Sequence, residues 1–209
     1  TETQITHRLC TGGWDSTCLL LQLAREGMTV QPIYVYGDRR LSEKNERQAM
    51  EKILDALHGN SKIRGKILPV DFLDKASIPP NQAITDAFNR IRANTRLGTQ
   101  HEWLARLAYI RPGLQIGTEA GDLETSHILK SIDEYGHLVN QDRVYYLDRE
   151  KSTEDGLLVL GNFLFPIIDK TERDMVNLVK EWGFEDVMKH IWFCHTPVKG
   201  EPCGVCHPC

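Results

Sequence analysis

Two groups of residues in this 209-residue chain have the types and spacing to do chemistry. The first is Leu9-Cys10-Thr11-Gly12-Gly13-Trp14-Asp15-Ser16-Thr17. Two adjacent glycines let a backbone approach an anion closely and adopt dihedrals that other residues resist. A helix opening behind them directs unpaired N–H groups and a partial positive charge at that anion. Thr11, Ser16 and Thr17 add hydroxyls. Asp15 is unwelcome beside a phosphate unless it meets a cation, which implies Mg²⁺. The Gly-Lys-Ser/Thr ending of a Walker loop is absent. The plain alternative is a Gly-Gly turn with an Asp or Ser helix cap. The second group is Cys194-x8-Cys203-x2-Cys206-x2-Cys209. Four thiolates at this spacing suit a tetrahedral Zn²⁺ with every ligand position filled, which makes the site structural. An iron–sulfur cluster is the competing occupant. His195 or His207 could stand in for one cysteine. Cys10 and Cys18 read as small core residues.

Regular elements must position these groups. Ile5 to Cys10 reads as a strand. Asp15 to Glu26 reads as a helix with Leu19, Leu20, Leu23 and Ala24 on one face and Gly27 as the stop. Val30 to Tyr36 has the composition of a strand. Ser42 to His58 is a helix with Ala49, Met50, Ile53, Leu54 and Leu57 as its apolar stripe. Ile67 to Phe72 is a third strand and Leu114 to Gly117 a fourth. Thr99 and Glu102 form a capping box before Trp103, Leu104, Leu107 and Ala108. Asp169 and Glu172 cap a helix carrying Met175, Val176, Val179 and Trp182, ended by Gly183. Ser77 to Arg96 carries no clear pattern, being broken by Pro79-Pro80, and Lys151 to Gly156 reads as an exposed turn. Strands alternating with helices imply an α/β fold: a parallel sheet with helices on both faces, plus a small C-terminal zinc-binding tail. Two domains are expected, an ATP-binding domain at 1–190 and the four-cysteine motif at 191–209. Ligands of such sheets sit at the carboxyl ends of strands, so the loops after Cys10, Tyr36 and Gly117 are where a site is expected.

Composition excludes some functions. Hydrophobic residues are 41% and charged residues 26%, an ordinary globular balance. The net charge of −4 argues against a protein that coats nucleic acid through a broad basic surface. No apolar run reaches the ~20 residues of a membrane span. The first residues, Thr-Glu-Thr-Gln-Ile-Thr-His-Arg, lack an apolar signal region, so a cytoplasmic protein is expected. Clustered cysteines read as metal ligands and not as a disulfide framework.

The whole loop string resembles the PP-loop of the ATP pyrophosphatase superfamily, Ser-Gly-Gly-x-Asp-Ser/Thr, with Thr11 for the usual Ser. Together with the cysteine spacing it resembles one family, the 7-cyano-7-deazaguanine synthases of queuosine biosynthesis. Tyr36-Gly37-Asp38-Arg39 is similar to that family's Tyr-Gly-Gln-Arg motif. Ile116-Gly117-x4-Asp122 is similar to its Gly-x4-Asp loop, and Pro166, Lys170 and Glu172 to its Pro-Leu … Lys-x-Glu region. The resemblance implies that Thr11, Gly12, Gly13, Asp15, Ser16, Thr17, Tyr36, Gly37, Arg39 and Gly117 hold ATP. It implies catalytic roles for Asp15, Ser16, Asp122 and Lys170, with Mg²⁺ as helper and zinc on Cys194, Cys203, Cys206 and Cys209. The implied activity is an AMP-forming carbon–nitrogen ligase that adenylates 7-carboxy-7-deazaguanine. Ammonia would displace AMP, and a second activation would give the nitrile. A homodimer is implied in the same way.

The chain also departs from the family. Where the family continues Tyr-Ser-Gly-Tyr-Pro-Asp-Cys-Arg at its substrate pocket, this chain has Leu123-Glu124-Thr125-Ser126-His127-Ile128. Its central Arg-Asn-Thr segment is only approximate, Arg92-Ala93-Asn94-Thr95, and where the family usually continues with an Arg-containing segment this sequence stops at Cys209. Relatives in anti-phage defence systems join a deazaguanine to a protein amine, and the altered segment makes that reading a serious alternative. A tRNA-thiolating PP-loop enzyme is a further alternative, opposed by the acidic balance. A zinc-ribbon binding module is another, but it has no need of the glycine loop. Arg90, Arg92 and Arg96 with Phe88 read as a solvated helix face or as contacts to RNA or a triphosphate. Asp38, Arg39 and Arg40 are candidates for adenine or ribose. Trp14 could stack on a base or simply pack. His101, His127 and His137 have no evident partner.

Overall fold

A computed structural model describes residues 4–206, 208 and 209. His207, a candidate ligand above, lies outside the described residues. In chain order the elements are β1 (Ile5–Leu9), α1 (Trp14–Arg25), β2 (Thr29–Tyr36), α2 (Glu43–Leu57), β3 (Lys66–Ile67), β4 (Asp71–Asp74), α3 (Gln82–Thr95), α4 (Gln100–Ile110), β5 (Leu114–Gln115), α5 (His127–Tyr135), β6 (Leu138–Gln141), β7 (Val144–Leu147), α6 (Glu154–Leu160), β8 (Phe163–Leu164), α7 (Glu172–Trp182) and α8 (Glu185–Met188). The architecture is α/β, with a mostly parallel sheet flanked by helices. No described helix is long and apolar enough to cross a membrane. The chain divides into two compact units, one of residues up to Lys75 with Glu172–Cys209, the other Ala76–Thr171. The cysteine tail therefore falls inside the first unit.

In the first unit β2 is central. It pairs with β1 in parallel from Ile5↔Thr29 to Leu9↔Ile33. Its other edge carries β3 and then β4. A single strand over 67–72 was the expectation, and the chain breaks it at Leu68–Val70. Pro69 has no N–H for the ladder, and Pro32 on β2 faces the same gap. The break removes the demand for both missing donors. Gln31 fills it, its Nε2 donating to Pro69 O at 2.7 Å and Pro32 O at 3.1 Å. α1 buries Leu19, Leu20, Leu21, Leu23 and Ala24. Gly27, at φ +92°, turns the chain back toward β2 as its stop position requires. α2 buries Ala49, Met50, Ile53 and Leu57, close to the expected stripe.

In the second unit β5 and β8 pair in parallel, and β6 and β7 form an antiparallel hairpin. The patternless stretch 77–96 contains α3, started by Asn81, whose Oδ1 accepts the Ile84 N–H. The supposed exposed turn 151–156 opens α6, with Thr153 as its N-cap. The Thr99–Glu102 capping box does not form. Thr99 is already helical and makes no side-chain cap. Glu102 is drawn instead to the Thr85 hydroxyl at 2.7 Å and the Arg106 Nε at 2.9 Å. Asp169 likewise meets Lys170 Nζ at 2.9 Å and the Tyr145 hydroxyl at 3.5 Å. Asn94 and Thr95 of the Arg92–Thr95 segment tie α3 to α5, through the Tyr135 and Ser131 hydroxyls. Arg90 forms a two-pronged pair with Asp155, at 2.8 and 2.7 Å, so its guanidinium is engaged within the unit.

Buried His101 in α4 holds its Nδ1 3.1 Å from Gly98 O. Burial pushes its imidazolium down to about 4. The unfolded chain takes up a proton near pH 6.5 and the folded chain does not. Stability from this group is therefore full above pH 6.5 and falls as the pH drops toward 4. His101→Gln should flatten stability-versus-pH curves between pH 6.5 and 4 by about 3 kcal/mol relative to wild type, in urea titrations.

Candidate functional site

The glycine loop leaves the carboxyl end of β1 and runs into α1. Gly12 adopts φ +71°, and a Cβ there would meet Glu46 O at 3.0 Å and the Ala49 Cβ at 3.1 Å. α2 therefore packs on the loop so closely that only glycine fits. Gly13 occupies the N-cap of α1, which has no side-chain cap. Neither Asp15 nor Ser16 caps the helix as the plain reading of the loop required. The Ser16 hydroxyl instead donates to Gly13 O at 3.2 Å and accepts the Thr11 N–H at 3.4 Å. Among the described residues, the first-turn N–H groups of α1 meet no acceptor.

Three contacts hold the loop from outside it. Arg8 on β1 is fully buried, and its NH2 donates to Ser16 O at 2.7 Å. A charged residue inside a strand pattern is its only sequence signal, since core strands rarely carry one. The Trp192 N–H donates to Gly12 O at 2.8 Å. The third contact is α2 against Gly12. Trp14 sits at the start of α1 with its Nε1 buried and unpaired among the described residues. Asp15 is half-buried. Burial pushes its carboxyl up to about 6, against the pull of Arg8 and with a push from Glu172 at the start of α7. Two carboxylates beside a set of helix N–H groups make a place where a divalent cation and a polyanion would satisfy each other.

At the end of β2 the candidates part. Tyr36 packs on the Cys10–Tyr34–Met50 cluster, beneath the Arg47 guanidinium at 5.6 Å. Gly37 is at φ +86°, a conformation that favours glycine, and a Cβ there would oblige the Asp74 carboxylate, 2.9 Å away, to shift. Arg39 is exposed at φ +61°. Asp38 and Arg40 are committed elsewhere. Arg40 bridges Asp38 at 2.6 Å and Glu46 at 3.1 Å, and Glu46 accepts the Tyr34 and Ser42 hydroxyls at 2.9 and 2.6 Å. That network braces the β2–α2 connection and leaves neither residue free for a ribose.

Gly117, Asp122 and Lys170 belong to the second unit. The Lys170 carbonyl accepts the Ala120 N–H at 2.8 Å, which places the 117–122 loop beside it. Lys170 Nζ faces Asp169. Asp122 is exposed, and its Oδ1 accepts the Glu124 N–H at 2.9 Å to start the turn into α5. Beyond that turn lies a cavity of about 410 Å³ lined by Leu123, Ile132, His137, Tyr145 and Asp169 among others. Leu123 comes from the segment that departs from the resemblance.

The four tail cysteines converge in the first unit, their Sγ atoms within 4.8 Å of one another. Cys203–Cys209 and Cys194–Cys206 are each 3.8 Å apart. A tetrahedron with metal–sulfur bonds of about 2.3 Å has edges of about 3.8 Å, so one ion such as zinc fits. A multi-iron cluster places its thiolates on separate irons and needs them farther apart. The Thr196 hydroxyl and the N–H groups of Val205 and Cys206 hold the Cys203 thiol down, to about 5. Cys10 and Cys18 are buried in the core, as read from the sequence.

The raised Asp15 value means the folded state resists ionisation. Its stability is full below about pH 4 and is lost as pH rises through about 6. Asp15→Asn should be more stable than wild type by about 2–3 kcal/mol at pH 8 and equal to it at pH 4, in urea titrations. Zinc analysis should find one ion per chain, and Cys206→Ser should lose it with a fall in Tm. Unchanged metal content in that variant would refute the four-cysteine site. Searches of protein-family models and of curated proteins found nothing that matches this chain.

Proposed function

We propose that this protein is an ATP-dependent, AMP-forming ligase of the PP-loop type. Its substrate would be the carboxylate of 7-carboxy-7-deazaguanine or a close analogue, and an amine its acceptor. The observation that carries the reading is the uncapped start of α1 behind Gly12 and Gly13, with Asp15 half-buried beside it. A half-buried carboxylate raised in pKa beside unpaired helix N–H groups suits a site that a cation and a polyanion complete together. The resemblance of Thr11–Thr17 to a PP-loop supplies the substrate class.

In this reading the loop N–H groups and the Ser16 and Thr17 hydroxyls take the triphosphate. Asp15, with Glu172 near, would hold Mg²⁺, which draws charge from the phosphates. A substrate carboxylate oxygen attacks the α-phosphorus, and pyrophosphate leaves with the charge that the loop is placed to stabilise. An amine then attacks the acyl carbon, loses its proton and expels AMP. Enclosure is required in between, because water would consume the acyl-adenylate. Tyr36, Gly37 and Arg39 would complete the nucleotide site; the roles of Gly117, Asp122 and Lys170 rest on the resemblance alone. A homodimer and a cytoplasmic setting belong to the same reading.

A protein amine as acceptor, as in the defence-associated relatives, is the second reading. It is favoured by the cavity beside Leu123, since that wall differs from the one expected of a nitrile-forming enzyme. The thiolation alternative is weakened by cysteine sulfurs spaced for a single ion.

The test is AMP release from ATP and Mg²⁺ with 7-carboxy-7-deazaguanine, with and without ammonia, products read by mass. Substrate-dependent AMP is expected, and Asp15→Ala should lower its rate by at least about 100-fold with the fold retained. Amide or nitrile with ammonia identifies the small-molecule reaction; adenylation without either points to a protein amine. No AMP with the deazaguanine carboxylate overturns the proposal.

A further inference from the structure

The cysteine tail does more than close on itself. The residue that donates to Gly12 O is Trp192, two positions before Cys194. The same residue is locked to the first cysteine by a second bond, its indole Nε1 donating to Cys194 O at 2.7 Å. A second tie joins the tail to α2, where the Asn45 amide donates to Gly200 O at 3.0 Å. Trp192 O also lies 3.6 Å from where a Gly13 Cβ would stand. The metal knot is therefore connected to the loop by one short, hydrogen-bonded segment.

The geometry of a peptide plane gives this connection a consequence. The Gly12 C=O and the Gly13 N–H belong to one planar trans unit and point in opposite directions. Holding the carbonyl toward Trp192 holds the N–H on the other side. The plane lies between two glycines, neither with a Cβ to restrict its rotation, and its carbonyl is held by the Trp192 N–H at 2.8 Å rather than by a side chain of the loop. The Gly13 N–H meets no acceptor among the described residues. It stands next to the uncapped first turn of α1 and would complete the row of donors there.

We propose that Trp192 is a positioning residue whose backbone N–H sets the Gly12–Gly13 peptide for anion binding, and that metal on the four cysteines holds Trp192 in place. Metal occupancy and anion affinity of the loop are then coupled, although no cysteine touches the anion. The inference rests on the reading that the loop takes a triphosphate; the coupling itself is a statement about the loop and tail alone. An ion that only ordered the tail would leave the loop indifferent to its removal.

Amide hydrogen exchange read by mass on the full chain tests it. The protein is compared zinc-loaded and after chelation under reducing conditions, and Mg-ATP binding is measured by calorimetry on both. Exchange in residues 10–17 is expected to rise about tenfold on metal removal, reverse on adding Zn²⁺, and leave β2 far less affected. Mg-ATP affinity is expected to fall about tenfold. Trp192→Pro, which lacks the N–H, should retain zinc and show the exchange of the stripped protein. Trp192→Phe, which loses only the indole, should stay within about twofold of wild-type exchange in the loop. Loop exchange that ignores the metal, or rises no more than that of β2, overturns the coupling. So does wild-type loop protection in a zinc-loaded Trp192→Pro, or equal exchange in the two variants. If Trp192→Pro does not fold, the stripped wild type decides. A loaded protein that fails to bind Mg-ATP removes the triphosphate reading, while the exchange comparison still decides the coupling.

Discussion

A helix that begins without a cap must have its loop held by something other than the loop's own side chains. That constraint organises the first unit. At α1 the usual cap residues are absent, since Gly13 has nothing to offer and Ser16 turns its hydroxyl back on Gly13 O. Position is supplied from three directions. Arg8 grips the first-turn carbonyls from below, α2 presses on Gly12 from one side, and Trp192 holds the Gly12 carbonyl from another. Arg8 and Trp192 act on backbone carbonyls and α2 acts by packing, so none of the three takes a first-turn N–H of α1. Such an arrangement costs stability at Arg8 and Asp15, where burial opposes the charged form of each side chain.

The same logic accounts for the network at the end of β2. The chain must leave β2, pass Gly37 at positive φ and enter α2 at a fixed height, because α2 must reach Gly12. Glu46 collects the Tyr34 and Ser42 hydroxyls and the Arg40 guanidinium, and Arg40 also takes Asp38. The Glu46 carboxylate and the Tyr34 and Ser42 hydroxyls brought under α2 all find partners, while the Arg40 Nε is left without one among the described residues. A change in that network would therefore act on the glycine loop through α2, without touching any ligand.

The tail answers a different need. Four cysteines within sixteen residues have little apolar surface to bury, so a bound ion is what can hold them in one arrangement. Because Trp192 joins that arrangement to Gly12, the ion and the loop share one short stretch of backbone. In the second unit, Asp122 begins the turn into α5, and Leu123, Ile132, His137 and Tyr145 line a cavity of about 410 Å³.

What the sequence determined by itself was local chemistry. Paired glycines before a helix, and cysteines at x8, x2, x2, are legible because the constraint lies between near neighbours. The strands β1 and β2 and the helices α1, α2 and α7 were legible for the same reason, since composition and period repeat within one element. Tertiary structure decided what depended on distant partners. Glu102 left its capping box for Thr85 and Arg106, and Asp38 and Arg40 were claimed by Glu46 and Tyr34. The third strand split where Pro69 met Pro32 from another strand. Arg8 and Trp192 carry no motif, and their importance exists only through backbone carbonyls that folding brings to them. Spacing along a chain reports which groups can cooperate; only packing sets which of them are still free to do so.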